Sequence, residues 1–271
     1  MLPFLAMGAA VYGMAVDNMQ AVQRALLFYP DPQRPDPGRW GAADFELVGT
    51  RTEDGLDITG WYHPPAADDR PVVVLFHGNA GHVGHRVFKA RELTAAGFGV
   101  FLAGYRGFGG NPGSPGETGF MRDAAAQIRW LGAKGIGTAR LVLYGESLGT
   151  AVAVRIAHGL AGRATPVAAV VLETPFTSLA DVAQHHYPLV PFRSIIVDRF
   201  DALRDVAQVG APVLVLHGDR DDVVPQRLGR QLYDAATDPK EAVWIPGGHH
   251  NDLWSRGAGD AIVRFVTART R

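Results

Sequence analysis

The 271-residue sequence contains no cysteine and has almost no net charge. Without a thiol, the chain can form neither a disulfide nor a cysteine-ligated zinc site, and a thiolate nucleophile is excluded. Lysine plus arginine total 26 against 27 acidic residues, which gives a formal net charge of -1. The basic residues are scattered, whereas proteins that bind nucleic acid carry a concentrated basic surface, so we expect no nucleic-acid partner.

The apolar stretch at the N-terminus is too short for a membrane span. Residues 2–16 carry no charge and are rich in alanine, methionine and glycine, but a spanning helix needs roughly 20 residues. No lysine or arginine precedes them, as a secretory signal requires. We predict that residues 1–40 form an apolar helix, acting as an interfacial or truncated membrane anchor, and a proline-rich lead-in. The alternative is a helix packed over the body, with the protein in the cytoplasm.

Short apolar segments alternate with helical stretches through residues 41–271, which we interpret as one domain. This alternation predicts an α/β fold, with a mostly parallel, eight-stranded twisted sheet and helices on both faces. An Asp-Gly turn at residues 54–55 predicts that the first two strands form an antiparallel hairpin. The predicted strands are 45–50, 56–63, 71–76, 99–103, 141–144, 168–172, 213–216 and 242–245, and the predicted helices include 117–131, 150–157 and 260–269.

One serine lies in a setting typical of a nucleophile. Gly-Glu-Ser-Leu-Gly at residues 145–149 joins a predicted strand to a predicted helix. A serine at such a sharp turn has a strained backbone and exposes its hydroxyl above the sheet, and the helix N-terminus directs N–H groups at the same point. From the glycine and serine content such a motif is expected by chance about 0.07 times, so Ser147 needs partners.

Candidate partners follow in the order acid, then base. The predicted strand 213–216 leads into an acidic turn, and the predicted strand 242–245 precedes two adjacent histidines. Both groups, like Ser147, follow the carboxyl end of a strand, where the ligand sites of open parallel sheets lie. Histidine can act as a base near neutral pH, and a carboxylate can orient it. The candidates are Asp219, Asp221 and Asp222 for the acid, and His249 and His250 for the base.

These segments, together with several others, resemble the α/β-hydrolase family. The similarity is greatest to its small serine esterases with a minimal lid, a group that includes membrane-tethered protein depalmitoylases. It extends from about residue 27 to the C-terminus. The matching segments are YP at 29–30, HGNAG at 77–81, YRGFG at 105–109, GESLG at 145–149, ETPFTS at 173–178, HGDRDDVVP at 217–225 and GHHND at 248–252.

The resemblance implies the role of each catalytic residue. Ser147 is the nucleophile, His250, directly before Asn-Asp, is the base, and Asp221, in His-Gly-x-x-Asp, is the orienting acid. The remaining candidates are interpreted as turn or rim residues: Asp219, Asp222 and His249.

The resemblance also implies an oxyanion hole made of two backbone N–H groups. The loop after the predicted strand 71–76 supplies one donor, assigned to Asn79 with Ala80 as the alternative, and Leu148 supplies the other. Such donors stabilise the charge of a tetrahedral intermediate. Because a side-chain change does not remove a backbone donor, Asn79→Ala should be much milder than Ser147→Ala.

The lid is expected to be minimal, because only about 40 residues separate the predicted strands that end at 172 and begin at 213. Within them, residues 185–200 are apolar and interrupted by proline. This strip is equally compatible with contacting an acyl chain and with packing over the sheet. We expect Tyr105 to brace the loop beneath the site and, secondarily, to contact substrate. The other expected substrate contacts are Phe176, Tyr187 and His249.

No metal or cofactor is expected. His82 and His85, three residues apart, could supply part of a metal site, but no third ligand accompanies them at a known spacing. The predicted function is that of a cofactor-free serine hydrolase that cleaves acyl esters or thioesters of a small-molecule or acylated substrate. A serine peptidase on the same fold and a non-catalytic binding module are the alternatives.

Overall fold

The computed structural model describes residues 23–25 and 27–270. The predicted anchor at residues 2–16 lies outside these residues, and the predicted domain boundary at residue 40 stays a prediction. Among the described residues, no helix has both the length and the apolar character needed to cross a bilayer.

An eight-stranded sheet forms the centre of the molecule, as predicted. A separate pair of two-residue strands, β1 (Tyr29–Pro30) and β5 (Ala80–Gly81), runs parallel beside it. The strands of the main sheet are β2 (Glu46–Arg51), β3 (Asp57–His63), β4 (Val72–Phe76), β6 (Gly99–Ala103), β7 (Leu141–Glu146), β8 (Ala169–Glu173), β9 (Val213–Gly218) and β10 (Lys240–Ile245).

The sheet is mostly parallel, and its strand order brings distant segments together. The order is β10-β9-β8-β7-β4-β6-β3-β2. Strand β3 pairs antiparallel with both β2 and β6, and the other pairings are parallel. The predicted hairpin is therefore confirmed. Because β4, β7, β8, β9 and β10 run in one direction, their carboxyl ends and the loops that follow them meet at one edge of the sheet.

The central strands are buried on both faces, which explains their continuous apolar runs. Along β4, Val72, Val74 and Phe76 belong to one hydrophobic layer, while Val73 and Leu75 belong to the layer on the opposite face. Side chains alternate between the faces of a strand, so each central strand contributes to both layers.

Helices cover both faces, as the sequence predicts. Apolar residues of α2, α3 and α6 complete one layer, and those of α1 and α7 complete the other. From residue 28 onwards, the α-helices are α1 (Val87–Ala95), α2 (Glu117–Ala133), α3 (Leu148–Ala161), α4 (Leu179–His186), α5 (Phe192–Ile195), α6 (Gln226–Ala235) and α7 (Ala258–Arg269). Short 3₁₀ helices occupy Pro37–Trp40, Val83–Arg86, Thr138–Arg140, Val206–Gln208 and Trp254–Arg256.

The segment between β8 and β9 is short, as expected for a minimal lid. It holds α4 and α5, and parts of its apolar strip face opposite ways. Leu189 is 97% exposed, whereas Phe200 is fully buried against Phe28 and Phe120. The end of the strip therefore packs on the body, while its middle faces outward.

Candidate active site

Ser147 lies on a strained turn between β7 and α3. Its backbone has φ 51° and ψ −115°, a left-handed conformation that costs free energy in a residue with a Cβ. The Ser147 N–H donates to the carbonyl of Glu173 on the neighbouring strand at 2.9 Å. A Cβ on Gly149 would overlap the carbonyl of Phe76. The glycine therefore lets α3 approach β4 closely enough to fix this turn.

A chain of hydrogen bonds joins the three side chains that the sequence singles out. Nε2 of His250 lies 3.0 Å from Oγ of Ser147. Nδ1 of the same ring lies 2.8 Å from Oδ2 of Asp221. The three residues come from loops after β7, β9 and β10, and the parallel strands bring these loops to one edge of the sheet.

Asp221 is held as a buried carboxylate. Its Oδ1 accepts the backbone N–H groups of Val223 and Val224 at 2.9 and 2.8 Å. Burial acts to raise the pKa of Asp221, but hydrogen bonds from His217 and His250 outweigh it and hold the pKa below its ordinary value. The group is thus a fixed negative charge facing one nitrogen of the His250 ring.

The neighbouring candidates have other roles in the structure. His249 is exposed, and its N–H donates to Asp252 at 2.7 Å. Asp219 accepts the N–H of Gly247 at 2.7 Å, which caps the turn after β10. Asp222 is exposed. Of the acids and histidines considered, the structure brings Asp221 and His250 to Ser147.

An apolar cavity of about 320 Å³ opens beside the hydroxyl of Ser147. Asn79 and Leu148, the residues of the expected oxyanion donors, line the cavity together with Ala80. Its apolar lining is formed by Leu148, Phe176, Leu179, Val182, Val223 and Val224. A cavity of this kind suits a small apolar group attached to the reacting carbon.

The structure places one of the four expected substrate-contact residues at the cavity and the other three elsewhere. Phe176 lines the cavity. Tyr105 requires a correction, because its side chain is fully buried and stacks on Phe120 at 4.3 Å, so it cannot reach a substrate in this structure. Its ring does pack against that of His77, which directly follows β4, with the two ring centroids 4.5 Å apart. Tyr187 and His249 are exposed outside the lining of the cavity, and their contacts stay predictions.

Sequence reasoning missed a buried group of charges beneath the serine, which we call the elbow cluster: Arg86, Lys89, Glu146 and Glu173. Glu146 accepts from Arg86 at 2.5 Å and from Lys89 at 2.8 Å. Lys89 also lies 2.6 Å from Glu173, which Tyr144 contacts through its hydroxyl. A charged residue inside the nucleophile motif was the available signal, but its partners are about 60 residues away in the sequence.

Arg86 connects the two loops that carry the expected oxyanion donors. Its Nη1 donates to the carbonyl of Ala80 at 2.9 Å, and its Nη2 binds Glu146. Ala80 follows Asn79, and Glu146 precedes Ser147. One guanidinium group therefore bridges the two loops beyond the pairing of β4 with β7.

The fold and the geometry define a class of protein. An eight-stranded sheet in this order, a serine on a strained turn after a central strand and a histidine beside it are the features of an α/β-hydrolase. A family profile described as "Serine aminopeptidase, S33" matches residues 67–198 and 194–254. The chain belongs to this family of α/β-hydrolases.

Relatives with similar sequences extend over most of the chain. It is 41% identical to an uncharacterised protein of Mycobacterium tuberculosis (strain ATCC 25618 / H37Rv), over 98% of this chain and 95% of that protein. It is 37% identical to "Lysophosphatidylserine lipase ABHD12" of Danio rerio, over 79% of this chain and 64% of that protein. The chain thus matches nearly the whole of the first relative and somewhat under two thirds of the second.

Solved structures agree with the fold. The Pyrococcus furiosus esterase Pf2001 has a TM-score of 0.71 at 18% identity, covering 90% of this chain and all of that chain. A monoacylglycerol lipase of Paleococcus ferrophilus has a TM-score of 0.60 at 22% identity, covering 78% and 99%. At these identities, the likeness concerns the fold alone. With the family match and the relatives, the predicted fold is confirmed, and the chain is an α/β-hydrolase.

Proposed function

We propose that the protein hydrolyses acyl esters or thioesters through an acyl-enzyme on Ser147, with His250 as the base and Asp221 as the orienting acid. The observation that carries this proposal is the hydrogen-bonded chain from Asp221 through His250 to Ser147, which ends at an apolar cavity. The 3.0 Å between Oγ of Ser147 and Nε2 of His250 suits proton transfer from the hydroxyl to the imidazole, and the 2.8 Å between Nδ1 and Asp221 suits a hydrogen bond that orients the ring.

The reaction follows from these contacts. As Oγ of Ser147 attacks the acyl carbon, its proton passes to Nε2 of His250, and the backbone N–H groups of Asn79 and Leu148 bind the oxyanion. The imidazolium, stabilised by Asp221, then protonates the departing alcohol or thiol. A water molecule attacks the acyl-enzyme, with the same imidazole acting as base, and releases the carboxylic acid. No step needs a metal or a cofactor.

The cavity supports a short to medium acyl chain. Its volume of about 320 Å³ is at the lower end of ligand pockets, and its walls are largely apolar. The name of the Danio rerio relative also makes lysophosphatidylserine a reasonable ester to test. In that reaction the acyl chain would occupy the cavity, and the glycerophosphoserine part would leave as the alcohol.

Labelling with a fluorophosphonate probe and hydrolysis of p-nitrophenyl esters of graded chain length test this proposal. We expect covalent labelling and turnover that is greatest for short to medium chains. Ser147→Ala should abolish both, and Ser114→Ala, which changes an exposed serine in another loop, should abolish neither. Well-folded protein that takes up no probe would favour a non-catalytic binding module.

A serine peptidase is the second candidate, because the matching family profile carries the name of an aminopeptidase. Both activities would use the same serine, so probe labelling does not separate them. Aminoacyl p-nitroanilides and p-nitrophenyl esters, compared at equal concentration, do. Faster cleavage of the anilides would favour the peptidase.

A further inference from the structure

A second group of polar side chains lies where the lead-in segment meets the loop after β4. Asp31, His82 and His85 each offer a ligand atom, and these atoms all lie within 4.8 Å of one another. The ring of Trp40 packs against both imidazoles, at 5.1 Å from His82 and 4.7 Å from His85. None of these residues belongs to the hydrogen-bonded chain at Ser147.

Backbone N–H groups lie beside the Nδ1 atom of each ring. The N–H of Gly84 donates to Nδ1 of His82 at 3.1 Å, and the N–H of His82 donates to Nδ1 of His85 at 3.3 Å. These contacts favour the tautomer in which both Nδ1 atoms carry a lone pair and the ring protons are on Nε2. Oδ2 of Asp31 lies 3.5 Å from Nε2 of His82, so this carboxylate would have to turn towards the two Nδ1 atoms to share an ion with them.

The two lone-pair nitrogens face each other at 3.2 Å. With a proton on neither, this contact brings two lone pairs together, and a bound cation would make it favourable; a proton on one nitrogen would instead give an N–H···N hydrogen bond. Zinc–nitrogen bonds of about 2.0–2.1 Å in a tetrahedral site separate two nitrogens by about 3.4 Å. The observed separation is close to that value. The backbone bonds to the same lone pairs are long, at the limit of the ordinary range, so a metal ion could replace them at small cost.

We propose that Asp31, His82 and His85 bind a divalent transition-metal ion, for which Zn²⁺ is the appropriate probe. Two imidazoles and a carboxylate form a ligand set typical of zinc, and water can complete the coordination. The sequence offered only the two histidines. Asp31 is about 50 residues upstream, and it reaches them because Pro30 pairs with Gly81 and the Asp31 N–H donates to the Gly81 carbonyl at 3.2 Å.

The ion would act as a structural link. It would join the lead-in segment to the loop that carries Asn79, because both strands of the β1–β5 pair end beside the ligands. An ion that binds the folded chain and not the unfolded one raises stability by mass action. The site is thus independent of the acyl-transfer chemistry, and its test needs no substrate.

The experiment is a titration of the full chain, first freed of metal with a chelator, with Zn²⁺. Calorimetry should show one ion per chain, and the thermal midpoint of unfolding should rise with Zn²⁺ but not with Mg²⁺, which prefers oxygen ligands. His85→Ala removes an exposed ligand without opening the core. Since changes to outer-shell partners alone cost about 10–100-fold in metal affinity, this variant should bind Zn²⁺ at least about tenfold more weakly.

His63→Ala is the matched control, because His63 also lies beside a carboxylate, that of Asp44 at 3.3 Å, but outside the cluster. Its Zn²⁺ affinity should equal that of the wild type. Asp31→Asn, which keeps the shape of the side chain and removes its charge, should weaken binding less than His85→Ala. Absence of Zn²⁺ binding by the wild type, or equal affinity in His85→Ala, would overturn the proposal.

Discussion

Two largely buried charge clusters use the same side-chain chemistry in different parts of the molecule. The first is the elbow cluster under Ser147. The second, which we call the loop cluster, consists of Arg106, Asp54 and Asp123. In it, Arg106 binds Asp123 and Asp54, each at 2.8 Å, and its backbone N–H also donates to Asp123 at 2.8 Å. Both clusters place a guanidinium group between two partners from different segments.

The clusters differ in the segments that they join. Arg86 joins the two loops that border the cavity at Ser147. Arg106 joins the loop after β6 to α2 and to the turn of the β2–β3 hairpin, and none of the loop cluster lines that cavity. Burial and ion pairing alone therefore do not mark a functional residue. What matters is whether the joined segments carry reacting groups, and this gives the two clusters different expected behaviour on mutation.

Asp123→Ala should have the largest effect, and the effect should be on stability. Asp123 is fully buried, so its removal leaves the guanidinium of Arg106 poorly compensated, which costs about 3–5 kcal/mol for a buried pair. Urea unfolding measures this loss, and kcat on a p-nitrophenyl ester should change little. Asp54→Ala is the control, because Asp54 is partly exposed and its loss should cost less. A large fall in kcat for folded Asp123→Ala would contradict the comparison.

Arg86→Ala should affect turnover. Without the guanidinium, the loops of Asn79 and Leu148 can shift relative to each other, and a misplacement of about 1 Å can cost about 10²-fold in rate. We expect kcat to fall by about this factor with KM nearly unchanged, and fluorophosphonate labelling to slow in parallel.

Arg91→Ala is the matched control for Arg86, because Arg91 makes an ion pair with Asp44 at the surface, and such pairs contribute about 0–1 kcal/mol. It should leave kcat unchanged. If Arg86→Ala lost stability, as Asp123→Ala should, but kept an unaltered kcat, the elbow cluster would have only a structural role, like the loop cluster.

Glu146→Gln should change how the free energy of unfolding depends on pH. Burial acts to raise the pKa of Glu146, but the charges of Arg86 and Lys89 outweigh it and hold the pKa well below its ordinary value. A lowered folded-state pKa contributes stability that is present above the unfolded value of about 4.3 and is lost as pH falls below it. The variant should be less stable than the wild type at pH 7 and should lose less on acidification. Urea unfolding of both proteins, from pH 7 to below the unfolded pKa, measures the difference. An equal loss of the free energy of unfolding in both would contradict the prediction.

The fold could be predicted because its signals are local. Apolar runs of four to six residues, separated by helical stretches, located all eight main strands to within a few residues. The largest shifts are at the ends, where β10 begins at Lys240 instead of 242 and α3 extends over Leu148–Ala161. The hydrogen-bonded chain at Ser147 was also accessible, because each member follows a strand and the parallel order brings strand ends together.

Contacts made by packing could not be predicted in the same way. Arg86 and Lys89 reach Glu146 across about 60 residues of sequence, and no periodic pattern records that encounter. Tyr105 shows the opposite error. It follows a strand end, where exposure is usual, but its ring turns into the core to stack on Phe120. Which way a side chain turns at a strand end depends on the space that its neighbours leave.

Asn79→Ala should have a much smaller effect on turnover than Arg86→Ala, less than about tenfold in kcat, since the proposed donor is the backbone N–H and one lost donor costs about 10²–10³-fold. The side chain of Asn79 is tied to another segment, with its Nδ2 donating to the carbonyl of Leu27. Its loss should therefore cost about 1 kcal/mol of stability, the usual net contribution of a hydrogen bond. Urea unfolding and ester kinetics on the same preparation separate the two effects. If kcat fell as far as it does in Arg86→Ala, the side chain of Asn79 would have to act in the reaction, and the assignment of the oxyanion donor to the backbone would be wrong.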